Sequence, residues 1–368
     1  MFKTPLYDIH LALNAKIVPF GGWLMPIQYP GIIQEHHWVR QNVGLFDICH
    51  MGEFMIQADL AKSNFNDLVT IDLVRMPLNT CRYGFMLNEQ GGIIDDLLVY
   101  RIANSEWMMV VNAATTAGDF AYLKRNLTGA TRFENISAAI GKLDLQGPLA
   151  SVVLTRLVGE NIHELKYYGF GYFTLLGEKI IISRTGYTGE LGYELYMPDH
   201  KIPELWARIL DYQQVKPIGL GARDTLRLEM GYSLYGQDID EHSTPLEAGL
   251  NHFVDWDKEF IGKASLLKQK QNGVFRRLIY FVADSRRSPR HNYQILHNAE
   301  KVGTVTSGSF SPSLGLGIGM GYVSSEISLG DKITLKDAAV SLPAKVVSKP
   351  FYKNGTAKCK EIKHAYTG

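Results

Sequence analysis

From about residue 275 to the end, short β-type runs alternate with glycine turns, as in RLIYFVA, YQILHN, KVGTVTSG, GMGYV, KITL and AKVVSK, and helical periodicity nearly disappears. Short strands of this kind need complete pairing to protect their edges, so the segment predicts a small barrel or a Greek-key sheet. Upstream, the two periodicities interchange. Ile32 to Asn42 repeats at three- and four-residue intervals, Gly52 to Ala58 alternates, and Leu60 to Val69 reads as a helix. An α+β part followed by a separate all-β domain is the expected division of the 368 residues.

Between Tyr83 and Val111 three runs, YGFMLN, GIIDDLLVYRI and WMMVVNA, are separated by EQGG and ANSE, which predicts an antiparallel meander. Thr115 to Asn126 and Pro203 to Tyr212 fit helices. Ser137 to Leu145, Tyr172 to Leu176 and Lys179 to Arg184 fit strands.

Lysine and arginine total 38 against 37 aspartates and glutamates, a net charge of +1 with no one-sided block. Nucleic acid and anionic membrane are therefore not expected partners, because both are bound by an excess of cations. A small anionic ligand needs only one or two. Three dispersed cysteines argue against a disulfide framework or a structural zinc. No apolar run approaches the ~20 residues that span a bilayer, and the N-terminus has no signal-type core. A soluble, cytoplasmic chain is expected. Dinucleotide, Walker, zinc-protease and hydrolase motifs are missing. His36, His37 and His50 are too scattered to predict a metal.

Three segments carry candidate chemistry. In GGIIDDLLVYR (91–101) strict alternation puts Asp96 with Tyr100 on one face and Asp95 on the other, and both faces look buried. A buried carboxylate needs a cation or several donors. Either the pair serves the backbone of the Gly91-Gly92 turn, or one member faces a ligand on which positive charge develops. In SRTGYTGELGYELY (183–196) the glycines frame Tyr187 for stacking on a planar ligand. Glu194 is either an exposed hairpin residue or an inward carboxylate able to take two parallel N–H groups. In GLGARDTLRLEMGYSLYGQDID (219–240) a glycine loop leads into a helix bearing Arg223, which suits an anionic ligand or an ion pair with Asp224 or Glu229.

These segments, with TPLYDIH at 4, PFGGWLMPIQY at 19, GLFDICHMGEF at 44, LQGPLA at 145 and TSGSFSPSLG at 306, run in one order over essentially the whole chain. In that order the chain closely resembles the aminomethyltransferases, the tetrahydrofolate-dependent T-proteins of the glycine cleavage system. The resemblance implies a three-domain cloverleaf with folate in a central channel: two interleaved α+β domains, residues 1–50 with 136–245 and 51–135 with 246–274, and a C-terminal β domain, 275–368. It matches Asp96 to the catalytic aspartate, Glu194 to the carboxylate on the pterin edge, Tyr187 to the residue beside the pterin and glutamyl portion, and Arg223 to the folate-contacting arginine. Tyr83, Asn112, Tyr167 and Met51 match further pocket positions.

The implied reaction takes an aminomethyl group from the dihydrolipoyl arm of a lipoylated H-protein to tetrahydrofolate, giving the methylene-bridged folate and ammonia. Expelling the thiolate would leave a methylene-iminium cation, which a fixed carboxylate stabilises far better in a water-poor site than in water. The rival readings are a non-enzymatic folate-binding protein and a demethylase or other methyl-transfer enzyme of the same superfamily. The first carries a K-G-C-Y-x-G-Q-E motif that this chain lacks. Departures from the family pattern fall at Gly22, Leu24 and Cys49, where alanine, a polar residue and serine are usual, and in the closing CKEIKHAYTG. Cys49 is expected to pack the pocket wall and not to act as a nucleophile.

Overall fold

The computed structural model describes residues 1–359, so all of the closing segment after Cys359 lies outside the described residues. Its start is a three-stranded sheet in the order Phe2–Lys3, Trp23–Gln28, Lys16–Phe20. The last two form a hairpin over Gly21 and Gly22, at φ +53° and +87°. Both values lie in the left-handed region that suits a two-residue hairpin turn and that alanine at position 22 would strain.

A six-stranded sheet follows in the spatial order Phe170–Leu175, Glu178–Ser183, Gly192–Pro198, Ile140–Gln146, Val43–Asp47, Val215–Ile218, antiparallel except for the last pair. Its alternation is strict. Leu143, Leu145, Tyr193 and Leu195 point to a core shared with the helices Ala150–Val158 and Ile202–Leu210. On the other face, the helices Ile32–Gln41 and Leu220–Glu229 cover one end through Val39, Phe46, Ala222 and Leu226.

The chain leaves this sheet after Asp47 to build a second one. Five antiparallel strands stand in the order Thr80–Leu87, Ile93–Arg101, Glu106–Val111, Gly52–Gln57, Arg132–Asn135. One face packs Phe54, Leu97, Val99 and Met109 with Leu123 of the helix Thr116–Asn126. The other meets the six-stranded sheet through Cys81, Tyr100, Met108 and Val110 against Phe170 and Tyr196. The helix expected over Leu60 to Val69 is reduced to one 3₁₀ turn, Phe65–Leu68. Asn64 exchanges hydrogen bonds with Asn126 and Thr128, and Asn66 accepts from Leu73 N, so side chains compete with helical backbone bonds there.

The C-terminal strands close into a barrel in the order Arg276–Ala283, Leu316–Ser324, Glu300–Ser311, Gln294–His297, Lys332–Asp337, Val340–Val347, with Phe281, Ile295, Val305 and Leu335 inside. The barrel is fastened to the Leu220–Glu229 helix by buried charge. Arg227 bonds Asp224, Asp238 and Ser307, while Glu229 takes Ser311, Ser313, Arg40 and His36.

Candidate active site

The Ile93–Arg101 strand carries Asp96 on the face toward the six-stranded sheet, where part of its surface stays open. Its carboxylate accepts the Tyr83 hydroxyl from the neighbouring strand at 2.8 Å and the Asn112 amide at 2.8 Å. Burial, with Asp95 adding to it, pushes Asp96 up to about 7, against the pull of those two donors. Such a carboxyl is poised to exchange charge near neutral pH.

Asp95 points the opposite way and does not serve the glycine turn. Asn88 closes that turn, accepting Gly92 N at 2.9 Å on its side chain. Asp95 instead takes the backbone and side-chain N–H groups of Asn112 and bonds Asp119 of the Thr116–Asn126 helix. Two carboxyls in hydrogen-bond contact share a proton, and burial followed by the charge of Asp119 holds Asp95 well above its ordinary range. Asn112 thereby ties this pair to Asp96 through a single amide.

On the six-stranded sheet Glu194 is 5% exposed and faces inward, not outward as a hairpin residue would. It lies opposite Asp144, while Lys142 lies opposite Tyr196. Glu194 accepts Tyr196 OH at 3.0 Å and Lys142 Nζ at 3.2 Å. Burial works against its charge, but Lys142 and Arg223 outweigh it and hold the carboxyl below its usual range. Arg223 bonds Asp144 at 2.9 Å, so its partner is neither Asp224 nor Glu229, both of which are committed to other cations. Burial lifts Asp144 to about 7 despite Arg223.

The Arg223 guanidinium lies over the Tyr187 ring, 4.9 Å from its centre. Tyr187 stacks on Tyr232 at 5.8 Å, and its hydroxyl donates to the Ser233 carbonyl. Tyr232 in turn bonds Tyr167, and Tyr187 feels the charges of both Asp96 and Arg223. Met51 rests on Lys142, Sδ to Nζ 3.7 Å. The eight residues singled out from sequence therefore form one connected neighbourhood between the two sheets.

Sequence reasoning missed Lys142, Asp144 and Glu53. The first two were signalled by the alternation of KLDLQ (142–146), where polar and apolar residues take opposite faces. Cys49 is buried, with its Sγ 3.3 Å from the Lys142 carbonyl, and burial pushes its thiol far up, so it supplies no thiolate. The three histidines stand apart in role: His36 bonds Thr225 and Ser313, His37 lies ring to ring with it, and His50 packs on Phe20. Two open clefts, of about 370 and 420 Å³, lie along the barrel and include neither Asp96 nor Glu194.

Comparison with known proteins finds relatives over nearly the whole chain. The family model for the GCVT N-terminal domain matches residues 6–258, and that for the glycine cleavage T-protein C-terminal barrel domain matches residues 276–353. An aminomethyltransferase of Halothermothrix orenii is 45% identical over 95% of this chain and 100% of its own. One from Caldanaerobacter subterraneus subsp. tengcongensis is 43% identical over 97% of each. The crystal structure of glycine cleavage system aminomethyltransferase T from Bartonella henselae superposes with a TM-score of 0.88 at 32% identity, covering 95% of this chain and 98% of that one.

Proposed function

The chain belongs to the glycine cleavage T-protein family and is an aminomethyl-transferring enzyme, and we propose that it works on an aminomethyl group borne by the lipoyl arm of an H-protein. The acceptor in this reading is tetrahydrofolate, and the products are 5,10-methylenetetrahydrofolate and ammonia. Tetrahydrofolate, when bound, supplies the amine nitrogens that take the one-carbon unit.

The residues present fit such a ligand. Glu194 is an ionised carboxylate sunk in a wall, suited to a pair of N–H groups from a pterin edge. Tyr187 offers a ring already backed by Tyr232, and Arg223 offers a cation beside it. Tyr83 and Asn112 orient Asp96, Tyr167 braces the tyrosine stack, and Met51 lines the wall next to Lys142.

Asp96 carries the chemistry in this proposal. Fixed by two donors on a part-open carboxyl, it holds negative charge where the departing thiolate would leave positive charge, and it can take a proton from an amine. The observation that carries this reading is that donor pair on a part-open carboxyl with its pKa near neutrality. The sheets also support a division into residues 1–50 with 136–245, 51–135 with 246–274, and a third unit from 275 onward. The proposal includes a cytoplasmic setting; separately, among the described residues no helix is long and apolar enough to cross a membrane.

The test is turnover of purified protein with aminomethylated H-protein and tetrahydrofolate, reading ammonia and methylene-tetrahydrofolate together. Equal release of both is expected. Folate binding without turnover would overturn the proposal.

A further inference from the structure

Glu194 Oε2 already accepts two hydrogen bonds, from Tyr196 and Lys142. Those two donors occupy both lone pairs of that oxygen. A bidentate N–H pair needs a free lone pair on each carboxylate oxygen, so one of them must leave before Glu194 can receive a pterin-like edge. Tyr196 is fixed, because its buried hydroxyl is also bonded to Tyr100 at 2.8 Å across the two sheets. Among the described residues Lys142 is otherwise held only by the Met51 thioether at 3.7 Å and the Tyr196 ring at 5.0 Å.

A buried ammonium that moves needs another acceptor nearby. Asp144 is already paired with a cation, Arg223 at 2.9 Å, and takes Gln146 at 2.6 Å on its other oxygen. Glu53 is not. It is 1% exposed on the Gly52–Gln57 strand, both its carboxyl oxygens lack a hydrogen-bond partner among the described residues, and it stands within electrostatic reach of Lys142. Building on the reading of Glu194 as the ligand's carboxylate, we infer that Lys142 is a two-position latch, paired with Glu194 in the arrangement described and with Glu53 once a ligand occupies Glu194.

The latch moves a proton as well as a side chain. The charged and titratable groups facing Glu53 are Lys142, Glu194 and Tyr196 of the six-stranded sheet and Cys49 on the preceding turn. Burial lifts Glu53 to about 8, against Lys142 and with Glu194 adding to the rise. With Lys142 on Glu194, it carries its proton at pH 7. When the ammonium arrives the carboxylate is stabilised, the O–H bond breaks, and the proton goes to the buffer. Affinity for the ligand then rises with pH until Glu53 is ionised in both states.

Calorimetric titration of the full-length protein with tetrahydrofolate, anaerobically at pH 7 in phosphate and in Tris, counts the protons from the dependence of heat on buffer. Release of about 0.5 to 1 proton per site is expected, falling toward zero at pH 9. Glu53→Gln should abolish the release and weaken binding about 5- to 10-fold, a loss of roughly 1–1.4 kcal/mol. Lys142→Met should abolish the release with Glu53 intact, which keeps the test valid if either variant folds poorly. No release from wild type, or release retained in Glu53→Gln, overturns the latch. Glu194→Gln separates the two ideas: if it binds folate as wild type does, the reading of Glu194 fails; if it binds weakly while wild type releases no proton, only the latch fails.

Discussion

The hydroxyls of Tyr100 and Tyr196 lie 2.8 Å apart although the residues belong to different sheets. Tyr100 also meets Ser183 Oγ at 3.0 Å, and Tyr196 passes the chain on to Glu194. The ligand-facing carboxylate is thus wired to the seam between the two sheets.

Tyr100→Phe tests that seam. Ser183 keeps Thr185 and Tyr196 keeps Glu194, so no group is stranded and the cost should be about 1 kcal/mol. Urea denaturation should show a lower midpoint with an unchanged slope. An unaltered midpoint would mean that the seam is held elsewhere.

Asp96→Asn should lower kcat on the order of 10² to 10³, the usual cost of losing a preorganised charge, while thermal unfolding and folate binding change little. In wild type only the ionised form serves, so kcat/KM should rise with pH through about 7 and level off above it. A variant within about threefold of wild type contradicts the assignment.

Glu194→Gln should act mainly on binding. A charge-assisted hydrogen bond is worth roughly 1.5–3 kcal/mol, so the Kd for tetrahydrofolate should rise about 10- to 150-fold with kcat less affected. Equilibrium binding and saturation kinetics on the same preparation separate the two effects.

Glu229→Gln should loosen the barrel. It removes one of the two buried carboxylates paired with Arg40, which keeps Glu190, and the acceptor facing His36, at a cost of about 3 kcal/mol near neutral pH. Its partners hold the Glu229 carboxyl down at about 2 against burial, a depressed value, so the stabilisation is present above the unfolded pKa and lost as pH falls through the folded one. The gap in urea midpoint between variant and wild type should therefore narrow as pH drops below 4.

Much of this fold is legible in the sequence because its strands alternate cleanly. The meander appears as Thr80–Leu87, Ile93–Arg101 and Glu106–Val111, and the texture change near residue 275 marks the barrel. Asp96 stood out because a carboxylate inside an apolar run demands a partner. Its partners were harder to read: Tyr83 and Asn112 reach it across neighbouring strands, and nothing local to either position fixes that register. Lys142 and Glu53 escaped for a further reason. Alternation says that a residue faces inward but not what it faces, and these two come from different sheets. Leu60 to Val69 misled because its apolar spacing fits a helix while Asn64 and Asn66 bond elsewhere.

The excursion of the chain out of the six-stranded sheet sets a timetable for synthesis. Val43–Asp47 ends up between Ile140–Gln146 and Val215–Ile218, whereas every strand of the five-stranded sheet is made in the interval before the first of those partners. At roughly 5–20 residues per second, about 90 residues of delay keep VGLFD without its first neighbour for some 5–20 s, and about 170 residues keep it without its second for some 10–35 s. The five-stranded sheet completes on the ribosome while this apolar strand stays uncovered. Nascent chains halted near residue 175, once residues 52–135 have cleared the exit tunnel, should accordingly be cut around Leu45 more readily than within those five strands. For a cell making this protein, the vulnerable moment is early, and a chaperone that shields the first fifty residues would serve it best.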